Sequence, residues 1–169
     1  MWTKNIELAI EAFNIFNDKL PNFKLIIAGM LDKKRHPHFK KLRKLASKNK
    51  NISFIINPSN KQMLLLYSMC YAISVTSFNE DWGTVPIEAN AFGKSVIAIN
   101  RGGFKESQLD EKTGFLVLPD KYEIAKRMEF LARNPQVNKK MGEYARKHSQ
   151  IYTWANFNQQ LNKLINKLT

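Results

Sequence analysis

The sequence predicts an α/β fold in which a parallel sheet is packed on both faces by helices. Three observations carry that expectation. Short apolar runs rich in β-branched residues alternate with longer stretches in which apolar residues recur every three or four positions. Strand–helix–strand repeats of this kind imply parallel pairing, because neighbouring parallel strands need a crossover. With 169 residues and 44% hydrophobic content, the chain can bury one real core.

The elements follow in order. Ile6, Ala9, Ile10, Phe13 and Phe16 fall at helical spacing, so 4–17 reads as an amphipathic helix. "FKLIIAG" (23–29) closes on glycine and predicts a buried strand. Residues 37–49 form a basic helix with Phe39, Leu42 and Leu45 along one side. "ISFII" (52–56) is a second strand, ended by Asn57-Pro58. "NKQMLLLYSM" (60–69) is a helix with Asn60 as its cap. "YAISVTS" (71–77) is a third strand and "VPIEANAFG" (85–93) a helix stopping at Gly93. "SVIAIN" (95–100) is a fourth strand, followed by the turn "RGG", and "GFLV" (114–117) is a fifth. Three helices close the chain near 120–132, 135–148 and 153–168. A parallel sheet binds ligands beyond the carboxyl ends of its strands, so the loops after 28, 56, 77 and 100 are the places to look.

Composition narrows the partners. Net charge is 27 − 14 = +13. Between Asp32 and Glu80 there is no acidic residue, while Lys33, Lys34, Arg35, Lys40, Lys41, Arg43, Lys44, Lys48, Lys50 and Lys61 all fall there. Such a field suits an anion, whether nucleic acid, acidic lipid or a phosphorylated ligand, or else it is a solvated helix face. One cysteine, Cys70, permits no disulfide within the chain. No apolar run approaches the roughly 18 residues of a membrane span. "MWTKNIELAI" lacks the features of a signal peptide. A cytoplasmic location is the expectation.

"NEDWGTVPIEANAFG" (79–93) sets two carboxylates, Glu80 and Glu88, around the start of a helix. Pro86 is tolerated there because a first helical turn has no internal use for the missing N–H. That turn leaves N–H donors at Thr84, Val85 and Ile87, and with the helix dipole they make a phosphate site. Gly83 lets a phosphate approach the backbone. Glu88, one turn further, can accept hydrogen bonds from a pair of hydroxyls such as a ribose presents. Glu80 lies on the loop, within reach of a sugar. A nucleotide-sugar diphosphate would engage all of these. The bland alternative is that acids near a helix start are favoured by the dipole alone, by about 0.3–1 kcal/mol.

The wider stretch "SFNEDWGTVPIEANAFGKSVIAINRGGFKE" (77–106) resembles the signature of the family-4 (group 1) glycosyltransferases: Glu-x7-Glu, Glu-Ala, Ala-x-Gly-Lys, a strand, and Gly-Gly-x-x-Glu. "TGFLV" (113–117), "TKNIELAIEAF" (3–13), "LIIAG", "ISFII", "LLLYSMCYAISVTS" and "YTWANFNQQLNKLI" (152–165) are similar to the family's other conserved segments, in the same order. The resemblance implies a Rossmann-like α/β/α sandwich, the C-terminal half of the two-domain GT-B fold. It implies transfer of a sugar from a UDP-, GDP- or ADP-sugar with retention of configuration, with no cofactor and no bound metal. Residues 1–169 would form the donor-binding domain, with the N-terminal acceptor domain absent from this chain.

By the same resemblance Glu88 would hold the ribose hydroxyls and Glu80 would contact the donor sugar. The backbone at Gly83, Thr84 and Val85 would hold the diphosphate, and Lys4 would neutralise it as it departs. The backbone around Ile56 and Asn57 would meet the nucleobase, and Gly102 and Gly103 would lie near the sugar, with Glu106 beside them. The family's arginine partner for that lysine lies upstream, on a strand this chain does not contain. Asn57 stands where glycine is common, and Trp82 where phenylalanine is usual.

Rival readings are a non-catalytic nucleotide-sugar-binding module and a nucleic-acid binder using 33–50. The latter lacks an aromatic stacking face, which disfavours nucleic acid. The same basic helix suits docking on an anionic membrane surface, which would make the protein peripheral there. His36-Pro37-His38 shows no acid close in sequence and reads as surface. His148 reads as structural.

Overall fold

The computed structural model describes residues 4–31 and 36–167. Lys33, Lys34 and Arg35 of the basic stretch lie outside the described residues. The element order is α1 (Ile6–Lys19), β1 (Leu25–Gly29), α2 (His36–Ala46), β2 (Ile52–Ile56), α3 (Asn60–Met69), β3 (Ile73–Val75), α4 (Thr84–Ala91), β4 (Val96–Ile99), α5 (Phe104–Ser107), β5 (Gly114–Val117), α6 (Lys121–Arg133), α7 (Pro135–Ser149) and α8 (Trp154–Ile165). The α/β alternation and the parallel pairing are as expected. The one-turn helix α5, after the glycine pair, was not predicted.

The strands form two parallel pieces: β1 with β2, and β3–β4–β5. The expected single sheet is therefore interrupted between β1 and β3. The amino ends of these two strands are neighbours, since the Phe23 and Tyr71 rings meet edge to face at 5.4 Å. Both strands line one cavity of about 910 Å³.

Helices cover both faces. Strand β4 is buried along its whole length, and its side chains alternate as a pleat requires. Ile97 and Ile99 pack with Ala12, Ile124, Leu131 and Met141 from α1, α6 and α7. Val96 and Ala98 pack with Tyr67, Ala89 and Phe104 from α3, α4 and α5. Under α2, Leu42 and Ala46 join Ile10, Leu25, Ile27 and Phe54. The basic residues Lys40, Lys41, Arg43 and Lys44 of α2 are exposed, while Leu42 and Ala46 of the same helix are buried. His38 has a neighbour that spacing alone did not reveal: its Nδ1 lies 3.5 Å from Glu7 Oε1 on α1. Asn60 is the first residue of α3 rather than its cap. Ser59 caps α3 in a reciprocal pair with Gln62. Among the described residues, no helix is long and apolar enough to cross a membrane.

Candidate functional site

The site forms beyond the carboxyl ends of β3 and β4, where α1 and α4 begin. The buried Thr76 hydroxyl, just past β3, sits 3.0 Å from the Lys4 carbonyl and 2.9 Å from the Asn5 carbonyl. It thereby fixes the start of α1 over the strand end. Asn5 adopts a left-handed conformation there (φ 46°), which asparagine tolerates better than most residues. Lys4 is held in place, and its Nζ donates to Glu80 Oε2 at 2.5 Å. The lysine side chain is half exposed and the glutamate mostly covered. An exposed pair of this kind contributes about 0–1 kcal/mol to stability.

Glu80 stands on the loop between β3 and α4. That loop is braced from behind by the glycine pair. The Gly103 N–H donates to the Glu80 carbonyl at 2.9 Å. A Cβ on Gly102 would meet that carbonyl at 2.6 Å, and one on Gly103 would meet the Asp81 carbonyl at 2.5 Å. The glycine pair thus allows backbone to lie on backbone, and the Gly103 N–H is already engaged within the protein.

Helix α4 follows. Gly83 is its N-cap, at φ 76° and ψ 70°, and no side chain caps the first turn. Thr84 and Val85 are exposed, while Pro86 is buried. In a helix beginning at Thr84, the Ile87 N–H falls opposite the Gly83 carbonyl in the i to i−4 ladder. The expectation of a donor at Ile87 is therefore corrected: the outward donors of this turn are those of Thr84 and Val85. They carry the positive end of the helix dipole.

Glu88 is exposed on α4, and the buried Tyr67 of α3 donates its hydroxyl to Glu88 Oε2 at 2.6 Å. Burial, and then the hydrogen bond to Glu88, hold the Tyr67 phenol well above its ordinary range, so it stays a donor. Its ring stacks on Phe92 at 5.6 Å, which fixes the direction of the O–H. Inspection of the motif alone did not single out this tyrosine. A signal was present, because "LLLYSM" places Tyr67 on the apolar side of a helix, where its hydroxyl needs a partner.

Lys4, Glu80, Gly83, Val85 and Ile56 line the cavity between β1 and β3, as does Tyr67. Ile56, partly exposed, ends β2. Asn57 follows in a left-handed conformation (φ 51°), a reason for glycine to be common at such a position. Its N–H donates to the Gly29 carbonyl at 2.9 Å, and its Oδ1 accepts from the Leu31 N–H at 2.8 Å. Asn57 therefore ties the loop after β2 to the end of β1. Trp82 meets Tyr152 edge to face at 5.7 Å, and the Tyr152 hydroxyl donates to the Glu106 carbonyl at 2.8 Å. Among the described residues, no three His, Cys, Asp or Glu side chains are grouped to hold a metal.

Such a site offers an uncapped helix start, a lysine paired with one carboxylate, and a second carboxylate one turn into the helix. The sequence model described as "Glycosyl transferases group 1" matches residues 1–148. The human alpha-1,3/1,6-mannosyltransferase ALG2 is 30% identical over 177 aligned positions, covering 98% of this chain and 42% of that protein. The chain thus spans less than half the length of that relative. Sucrose-phosphate synthase from Thermosynechococcus elongatus superposes with a TM-score of 0.87 at 25% identity, over 99% of this chain and 43% of that one. Anabaena HepE, solved with UDP-glucose, has the same fold, with a TM-score of 0.87 at 22% identity over 99% of this chain and 46% of that one.

Proposed function

This chain belongs to the group 1 glycosyltransferases, and from that premise we propose that it is the donor-binding domain of a retaining enzyme that uses a nucleotide-diphosphate sugar. The observation that carries this reading is the uncapped start of α4, with exposed Thr84 and Val85, next to Lys4 and Glu80. The diphosphate binds the N–H groups of that turn. Glu88, aimed by Tyr67, takes the ribose hydroxyls, and the base lies toward Ile56 and Asn57.

In the reaction the bond from the anomeric carbon to the diphosphate oxygen breaks, and its electron pair leaves with the diphosphate. Negative charge grows on the leaving group. Donors that are already oriented stabilise it more in the transition state than in the ground state. The lysine exchanges its carboxylate partner for the diphosphate, and Glu80 is released to face the electron-poor sugar carbon. The acceptor, a glycan or a lipid-linked sugar, approaches from outside these residues; its hydroxyl oxygen forms the new bond to the anomeric carbon and its proton passes to the departing diphosphate oxygen, so the chain alone binds donor and turns over little.

The test is a thermal-shift panel with UDP, GDP, ADP and their sugars. A ligand at a hundredfold over its Kd adds about 2.7 kcal/mol of stability. One nucleotide series is expected to raise Tm, with Glu88→Ala abolishing the shift while the unliganded Tm stays close to that of the parent. No response at millimolar concentration, together with a salt-sensitive response to oligonucleotides, would refute the reading.

A further inference from the structure

We propose that the side-chain amide of Asn57 reads the nucleobase, and that it selects a base presenting a keto oxygen, such as uracil or guanine, over one presenting an amino group. The proposal rests on the donor-site reading above and names the class of nucleotide that site takes. A left-handed residue after β2 is most simply glycine; here it carries an amide instead (φ 51°). Either pole of an amide can meet a base. One pole is already taken, because Oδ1 accepts from the Leu31 N–H at 2.8 Å. That bond fixes which way the amide is turned. Among the described residues Nδ2 has no partner, and it remains a donor on an exposed residue.

The neighbouring donors are spent. The Asn57 N–H goes to the Gly29 carbonyl at 2.9 Å. Pro58 has no N–H. The Ser59 N–H donates to Gln62 Oε1 at 2.8 Å, and the Ser59 hydroxyl donates to the same oxygen at 3.1 Å. Across residues 57–59 the donor left to a ligand is therefore Asn57 Nδ2.

The surroundings make room for a flat ring. Gly29 ends β1 beside Asn57, and a Cβ there would meet nothing within 4 Å, so the space over this backbone is open. Met30 is 70% exposed and Ile56 39%, and both line the cavity together with Gly29 and Leu31. Apolar side chains standing in water beside an open backbone suit the face of a base, which would cover them.

The class of base follows by polarity. Uracil O4 and guanine O6 are acceptors, whereas cytosine N4 and adenine N6 carry donors. Asparagine ordinarily holds adenine with both poles, its oxygen accepting from N6–H and its amide donating to N7. With Oδ1 held by Leu31, that mode is lost. The Nδ2 donor meets a keto oxygen well and an amino group badly, since two donors face to face leave both unpaired.

The test is calorimetry on the full chain with two matched pairs, UDP against CDP and inosine diphosphate against ADP. Within each pair the bases differ in a keto or amino group and the ring proton that goes with it. In the pair whose ring size the site admits, the keto nucleotide is expected to bind about tenfold or more tighter. Asn57→Gly keeps the left-handed backbone and is expected to shrink that ratio below about threefold, through weaker binding of the keto member. Asn57→Asp turns the free pole into an acceptor and is expected to favour the amino member. Equal affinity within both pairs, abolished by Glu88→Ala, would overturn the base reading and leave the donor site standing. So would an amino preference in the parent chain, or a keto preference that both Asn57 variants retain. Binding of no nucleotide at all would overturn both readings.

Discussion

Substituting Gly83 by alanine tests the geometry on which the site rests. Gly83 sits at φ 76°, where an L side chain costs roughly 1–2 kcal/mol. An added Cβ would also lie 2.8 Å from Phe104 Cδ1 and Cε1 and 3.3 Å from Glu80 Cγ. Phe104 is buried in the core and cannot swing away, so overpacking adds about 1–3 kcal/mol. The sum is about 2–5 kcal/mol. At roughly 2–4 °C per kcal/mol for a chain of this size, Tm falls by about 4–20 °C. Gly29→Ala supplies the control, because a Cβ there meets nothing within 4 Å and its φ is not positive. That substitution is expected to leave Tm unchanged or slightly raised. Thermal unfolding followed by circular dichroism reads both. If Gly83→Ala melts within about 1 °C of Gly29→Ala, the left-handed cap and its contact with Phe104 are not what holds the loop to the helix.

The remaining predictions concern the supports of the site and of the core. Tyr67→Phe removes the donor to Glu88 and is expected to weaken nucleotide binding by about tenfold, near the worth of a hydrogen bond to a charged group, with the Tm of the free chain changing little; unchanged affinity by calorimetry would assign the hydroxyl to folding alone. Burial lowers the pKa of His148, so the unfolded chain binds the proton more readily. Stability is then expected to be intact at neutral pH and to decline as pH falls below the unfolded value of about 6.5. His148→Gln should flatten that decline in urea titrations at pH 7 and pH 5. Gly142→Ala would set a Cβ 2.1 Å from the Gly93 carbonyl, forcing α7 off the end of α4, and is expected to cost at least about 2 kcal/mol by denaturant unfolding.

Much of the site was legible in the sequence because its parts are local. A glycine before a helix start, a proline inside the first turn and an acid one turn on are all set by neighbours in the chain, and α4 begins at Thr84 as they require. What was less legible depends on contacts between distant segments. The glycine pair read equally as a turn or as a ligand loop. Only the fold shows Gly102 and Gly103 pressed against Glu80 and Asp81, with the Gly103 N–H already engaged. The Lys4–Glu80 pair spans 76 positions, and the tie from Thr76 to Lys4 and Asn5 spans about as many. Periodicity cannot report such distances. Nor could it find α5, a single turn too short to show a period.

The sheet shows where local pattern and environment disagree, and the disagreement is informative. "FKLIIAG" (23–29) reads as a buried strand and "YAISVTS" (71–77) as a strand, and β1 and β3 form within those stretches. Yet Ile26 is 48% exposed and the three residues of β3 are each only half-buried, whereas β4, with a neighbour on each side, is buried throughout. The same type of sequence meets two environments, and the difference is a neighbouring strand.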